Sequence, residues 1–473
     1  MAAGKKPLNI TDESRSTAMT IVLLAWPVLV EQIFSTLVSF ADTAMVGSMG
    51  AAATASVSIS NSPIFLLNGI IMSLGVGITA LVARATGAGD PRAVQNLMRH
   101  AVLAILYIGL PIAVIIACLS RMIPLWMGAE VDILDTATTY NLITAVGRPF
   151  MMASMVLNSA FRGYGDTKTP MKLNLLMNIV NVIGNFLLIY PTRTITVLGF
   201  SFLMPGAGWG VAGAAAATAV GMTLSGLAAL YIAFRKQNPY RVSFREPGSF
   251  RPDRDISRQV FSISFPAILE RICMSSSGIL VNSSVAMLGT VNIAANSLCL
   301  SAESLSYMPA FAFQMAVTTL VGQSLGAEKP QLAKKFVRTT QLMGIIVMCF
   351  TGLGLYLFAE PIIGVFTPDQ EVILLAAQCL RLMGFIQPPQ LAAWVFGGAL
   401  RGAGDTRSIF YITAATTWGV RTLFSMLCIR VFHMALYSTY VIMTVEIFVR
   451  LFLLWLRYRG GKWMHTLKAM ERK

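Results

Sequence analysis

The chain has 473 residues, of which 55% are hydrophobic and 12% charged, and its mean hydropathy is +0.68. Soluble domains sit near about 45–50% apolar and about 25% charged, so this composition excludes them and identifies a polytopic membrane protein. The formal charge of +15 comes from basic residues set between apolar runs, not from an aromatic-interleaved soluble surface, and no nucleic-acid partner is expected.

The polar start MAAGKKPLNITDESRSTAM has no small-residue cleavage pattern after the first apolar run, so it does not read as a removed signal peptide. Hydrophobic runs then fall at about 17–47, 53–84, 95–119, 136–159, 172–191 and 209–234. The second half holds runs at about 257–288, 293–323, 334–358, 372–397, 409–430 and 436–457. An all-α polytopic membrane protein with twelve transmembrane helices is predicted.

The first run contains WPVLVEQIFSTLVSFADTAMVGSMG, apolar enough to span yet carrying Glu31 and Asp42. At about 100° per residue, Glu31, Ser35, Ser39 and Asp42 fall within about 80° of one another and form one polar stripe. Their helical rise sets the two acids roughly 16 Å apart. An ionisable group at membrane depth costs roughly 2.5–3.5 kcal/mol on insertion scales, so a stripe with two needs a reason. The fifth run places Asn174, Asn178, Asn181 and Asn185 on one face, predicted to line a polar cavity beside Asp42.

The stretch RKQNPYRVSFREPGSFRPDRDISR spans 235–258 at the middle of the chain. It divides a first lobe, 1–234, from a second, 257–473, with 235–256 as a basic linker able to touch anionic lipid. Beyond it the first run returns as FPAILERICMSSSGILVNSSVAMLG. Pro27, Glu31 and Gly50 match Pro266, Glu270 and Gly289 at a constant offset of 239. Leu81-Val82, Gly87-Ala88 and Pro91 match Leu320-Val321, Gly326-Ala327 and Pro330, and the loop RGYGDT from Arg162 matches RGAGDT from Arg401. Six spans per half is even, so the lobes point the same way, related by a pseudo-two-fold axis along the membrane normal. The RGxGDT loops read as structural hinges, with glycine allowing the return, aspartate capping the next helix and arginine anchoring at the interface.

Lys5, Lys6, Arg92, Arg99, Arg162, Lys168, Lys172, the linker, Lys329, Lys334, Lys335, Arg338, Arg401, Arg407 and the Arg457–Lys473 tail share one side; Arg121, Arg193 and Arg430 take the other. The positive-inside rule therefore puts both termini in the cytoplasm, where the Asn9 sequon is inert. Glu303 in the eighth run is a candidate cleft residue, as are Glu270, Asn178 and Met274, the last among methionines suited to an adaptable lining. Glu446 and Arg450, four apart with the acid first, read as a structural ion pair. The six cysteines lie in apolar runs without CxxC spacing, and three scattered histidines support neither a metal centre nor a proton wire.

The GAGDP loop after the second run, its GAEKP partner, the doubled RGxGDT loops and the proline–glutamate–aspartate first helix resemble the multidrug and toxic compound extrusion (MATE) transporters, from about Ile21 to Trp463. The resemblance implies two six-helix lobes around a cleft of alternating access, a monomer in the cell membrane, and export of amphipathic, often cationic, compounds in exchange for H⁺ or Na⁺, with no other cofactor. Asp42 matches the family's first-helix aspartate implicated in cation coupling, and Asn181 and Asn185 match its fifth-helix neighbours. Asn185 stands where some relatives carry aspartate. Glu270 resembles the seventh-helix glutamate of other branches about one turn closer to its proline, while the tenth-helix aspartate used for Na⁺ is absent. Arg84 stands where the family usually has glutamine, as this chain does at Gln323.

The ion-coupling candidates are Asp42, Asn181, Asn185 and Glu31. Asp42 comes first, because its repeat position is Val281 while Glu31 has a twin in Glu270. The alternative is a lipid-linked oligosaccharide flippase of the same wider superfamily, for which a cleft gathering Arg148, Arg271 and Arg381 is required. An enzyme would need a clustered catalytic constellation that the sequence lacks.

Overall fold

The computed structural model describes residues 16–197, 200–244 and 250–466. Their framework is twelve long helices. The first six are α1 (Thr17–Gly47), α2 (Ala51–Gly87), α3 (Pro91–Cys118), α4 (Val131–Gly163), α5 (Lys168–Leu188) and α6 (Gly210–Phe234). The rest are α7 (Arg254–Ala286), α8 (Thr290–Gly326), α9 (Pro330–Leu357), α10 (Gln370–Gly402), α11 (Thr406–Val431) and α12 (Tyr437–Arg459). Ten of them are long and apolar enough to cross a membrane. The other two, α4 and α7, are as long but diluted by Arg148 and by the Glu270–Arg271 pair among serines and threonines. Lys5, Lys6, the Asn9 sequon, Arg245 and the tail after Thr466 lie outside the described residues.

Local chemistry sets the helix ends. Asp90 accepts from the Arg92 and Ala93 amides at 3.0 Å and caps α3, whose first residue is proline. Gly50 and Gly289, one repeat apart, take φ values of 103° and 98° in the tight returns into α2 and α8, a region closed to most side chains. α3 contains a π-helical turn at Ile105–Gly109 and α11 two, at Thr417–Thr422 and Leu427–Val431. A hairpin of Pro191–Val197 and Phe200–Ala207 joins α5 to α6. That ribbon is the one short strand pair of an otherwise helical fold among the described residues. PTRTITV is rich in β-branched residues, which favour a pleated ribbon, but it adjoins a long apolar run that masks its pattern.

The lobes exchange the starts of their first helices. Ile21, Leu24, Ala25 and Val28 of α1 are buried with Val317 and Leu320 of α8, Phe336 of α9 and Leu391 of α10, in the core of the second half. Ile263 of α7, which matches Leu24 in the repeat, is buried with Ile78, Met98 and Phe161 in the core of the first half. Past Pro27 and Pro266 each helix returns to its own half, where Met45 and Val46 join Ile189 and Ala214, and Val285 joins Ala295 and Cys379. Ser73 Oγ donates to Ala267 O at 3.3 Å and Ser264 Oγ to Leu74 O at 3.2 Å, stitching α2 to α7 across the seam.

At the end bearing the RGxGDT loops, α2 and α8 cross at backbone distance. Gly87 lies against the Gln323 carbonyl and Gly326 against the Arg84 carbonyl, so a methyl on either overlaps the facing backbone. Gly87→Val and Gly326→Val are therefore expected to lower the thermal unfolding midpoint of the purified protein by several degrees. Gly47→Ala, whose added methyl meets no atom within 4 Å, is expected to leave it unchanged.

Candidate functional site

The polar stripe of α1 is matched rung by rung by the asparagine face of α5. Asn174 donates to Glu31 Oε1 at 2.7 Å, Asn178 to Ser35 Oγ at 3.3 Å and Asn185 to Asp42 Oδ1 at 2.6 Å, each pair 143 residues apart. Both helices run the same way, so equal spacing on each keeps the register. The stripe nevertheless has two chemically different ends.

Glu31 is engaged on both oxygens. Arg162 Nη2 donates to Oε1 at 2.6 Å and to Oε2 at 2.8 Å, and the two side chains are only 11% and 8% exposed. The second half repeats the contact, with Arg401 Nη2 donating to Glu270 Oε1 at 2.7 Å over the same separation of 131 residues. Each loop arginine thus binds the glutamate one turn past the helix proline of its own half. Asp166 caps α5 through the Lys168 and Thr169 amides at 3.1 and 2.9 Å. Asp405 departs from that pattern and accepts from Ser408 Oγ and Arg457 Nε at 2.8 and 2.7 Å.

Asp42 is half-buried and meets no cation among the described residues. Asn181 stands between it and Thr218. Carboxylate oxygens only accept, which turns the amide nitrogen toward Asp42, at 2.8 and 2.9 Å from its two oxygens, while the amide oxygen accepts from Thr218 Oγ1 at 3.1 Å. Asp42, Asn185 and Thr218 line a cavity of about 460 Å³ together with Ser39, Asn61 and Tyr140. At the matching place in the second half, Val281 replaces the acid, and Ser277 meets Thr422 hydroxyl to hydroxyl at 2.6 Å.

A second cavity, of about 250 Å³, lies between the halves and is lined by α2 and α4 of the first and by α7, α8, α10, α11 and α12 of the second. Met72, Met274, Met315, Phe311 and Trp394 give it an apolar wall, and Glu270 and Arg271 contribute from α7. Glu303 lines neither cavity. It is buried in α8, with the Tyr307 hydroxyl and the Arg421 guanidinium as its polar neighbours. Glu446 and Arg450 form an ion pair at 2.5 Å, and Arg450 also donates to Thr417 Oγ1 at 3.1 Å. Arg381 pairs with Glu360 at 2.7 Å away from both cavities, and Arg148 is buried inside the first half against the Met151 sulfur.

Sequence reasoning passed over Arg162 and Arg401 as partners and missed Thr218 altogether. The first omission had a signal. Glutamate and arginine recur at one offset, so their spacing is the same in both halves, and two buried charges that travel together are expected to pair. Thr218 sits in a small-residue helix, where nothing distinguishes it from packing.

The model of the MatE family matches residues 27–187 and again 266–427, more than half of the chain, each match opening on the helix proline. The chain belongs to the MatE family. This MatE protein is 26% identical over 443 residues to a probable multidrug resistance protein NorM of Thermotoga maritima, covering 94% of this chain and 92% of that one. It is 26% identical over 407 residues to a probable multidrug resistance protein NorM of Shewanella oneidensis, covering 85% of each chain. Its fold is similar to a crystal structure of MATE in complex with MaD3S, with a TM-score of 0.84 at 22% identity over 96% of this chain and 98% of that one. Like other MatE members it is a multi-pass membrane transport protein with twelve helices in two lobes.

Removing one partner of a buried ion pair costs about 3–5 kcal/mol, because the other charge is left without compensation. Glu31→Gln and Arg162→Met are each expected to lower the thermal midpoint strongly. The Glu31→Gln/Arg162→Met double variant is expected to lose less than the sum of the two, and Glu270→Gln with Arg401→Met to behave alike.

Proposed function

We propose that this transporter is a secondary-active exporter of amphipathic compounds, working by alternating access in the cell membrane in exchange for H⁺, with Asp42 as the exchanging group. The observation that carries this reading is the contrast within one helix: Glu31 is held by an arginine, whereas Asp42 opens into a cavity and is held only by uncharged amides. A carboxyl group so placed is able to take a proton from one face and release it to the other. The groups turned toward it donate through nitrogen, which favours H⁺ over Na⁺, since a hard cation asks for a shell of oxygens. The NorM names of the relatives favour multidrug export, and small-molecule amphipaths are the expected substrates.

The lysine and arginine tally supports both termini in the cytoplasm, with the α2–α8 crossing at the cytoplasmic end and the Asp42 cavity in the outer half. Glu31 and Glu270 then serve the hinges of the two lobes. A flippase cleft lined with several free cations is not favoured: Arg148 and Arg381 lie away from the central cavity, and of the four arginines on its wall three are held by glutamates, which leaves Arg271.

Inverted membrane vesicles test this reading. A proton gradient is expected to drive uptake of a fluorescent amphipathic dye without Na⁺, and Asp42→Asn to lower the rate at least about tenfold, in line with loss of one proton-transfer group, at unchanged thermal midpoint. Wild-type rates from a well-inserted Asp42→Asn protein overturn it.

A further inference from the structure

The charges around the central cavity do not cancel. Arg162 is held by Glu31, Arg401 by Glu270 and Arg450 by Glu446, and all three arginines reach the cavity wall already paired. Arg271 lines the same wall, half-buried, and among the described residues its one partner is the ring of Phe65, 5.6 Å from the guanidinium carbon. The cavity therefore carries one uncompensated positive charge.

The position of that charge is built. Arg271 projects from α7 and lies over Gly69 of α2 in the opposite lobe, where a Cβ would stand 3.0 Å from its Cγ and Nε. The missing side chain is what lets the guanidinium lie there. Phe65 lines the Asp42 cavity, while Gly69 and Met72 line the central one, so the Arg271–Phe65 contact sits where the two cavities adjoin along α2. A guanidinium whose one partner among the described residues is the face of a ring keeps its N–H groups, which match a carboxylate, sulfonate or phosphate two bonds at a time. The surrounding methionines and Trp394 present deformable apolar surface to the rest of such a molecule.

We infer that Arg271 makes the central cavity a site for amphipathic compounds bearing an anionic group, which binds the guanidinium while the apolar body rests on Met72, Met274, Met315 and Trp394. This rests on the export reading and sharpens its substrate class: an acid group, alone or in a zwitterion, is recognised, and a purely cationic amphipath meets an unscreened like charge.

The test uses the protein in lipid nanodiscs, with empty nanodiscs as blank, and two fluorescent probes of one skeleton, uncharged N-phenyl-1-naphthylamine and 8-anilinonaphthalene-1-sulfonate. The sulfonate is expected to bind at least about tenfold tighter than its neutral parent, the scale of a hydrogen bond to a charged group. Arg271→Gln is expected to abolish that preference and leave the neutral probe's affinity unchanged, while Arg271→Lys keeps most of it. Saturable binding of the neutral probe with no sulfonate preference, or a preference that survives Arg271→Gln, overturns the role of Arg271 alone. Absence of saturable binding for both probes overturns the amphipath-cavity reading beneath it as well.

Discussion

Two buried ion pairs, Glu31 with Arg162 and Glu270 with Arg401, hold this transporter together where its first and seventh helices pass between the lobes. Each lies just beyond a proline, at the point where a helix that begins in the core of one lobe returns to its own. Stripping a buried carboxylate of its counter-ion costs about 3–5 kcal/mol, so the glutamate leaves its arginine only at the expense of the interaction that offsets its burial. Each pair therefore ties the upper part of α1 or α7 to its own lobe, while the lower part is carried by the other. Relative motion of the lobes then acts on the segment around Pro27 or Pro266, where the proline has already removed one backbone hydrogen bond. The α2–α8 crossing, closed at glycine distance, is the second restraint at the same end.

Much of this was legible in the residues. The offset of 239 exposed the two halves, and the helix boundaries follow the hydrophobic runs to within a few positions, because twelve apolar stretches in a bilayer leave the chain few alternatives. The asparagines of α5 were placed correctly on one face, since periodicity alone determines a helix face. What could not be read was the register against α1, and hence that Asn174 and Asn178 serve Glu31 and Ser35 rather than Asp42. Nor could a repeat predict that the lobes exchange the starts of α1 and α7. The same apolar pattern at Leu24 or Ile263 satisfies either core. The hairpin before α6 escaped because its few threonines adjoin a long apolar span.

Set against that framework, the singular residues stand out by what they lack. Asp42 has no partner arginine and Arg271 no partner acid among the described residues. Neither has a charged twin in the other half, where Val281 and Gln32 hold the matching positions. The glutamates and arginines repeated in both halves are paired with each other, whereas Asp42 and Arg271, which are not repeated, bring unpaired charge to the two cavities. The most direct measurement of this division is proton release on binding, read with a pH indicator when saturating N-phenyl-1-naphthylamine is added to the nanodisc-embedded protein in weak buffer. Protons are expected from the wild type and from the Glu31→Gln/Arg162→Met double variant, and none from Asp42→Asn. Release that persists in Asp42→Asn, or disappears with the Glu31–Arg162 pair, contradicts the account.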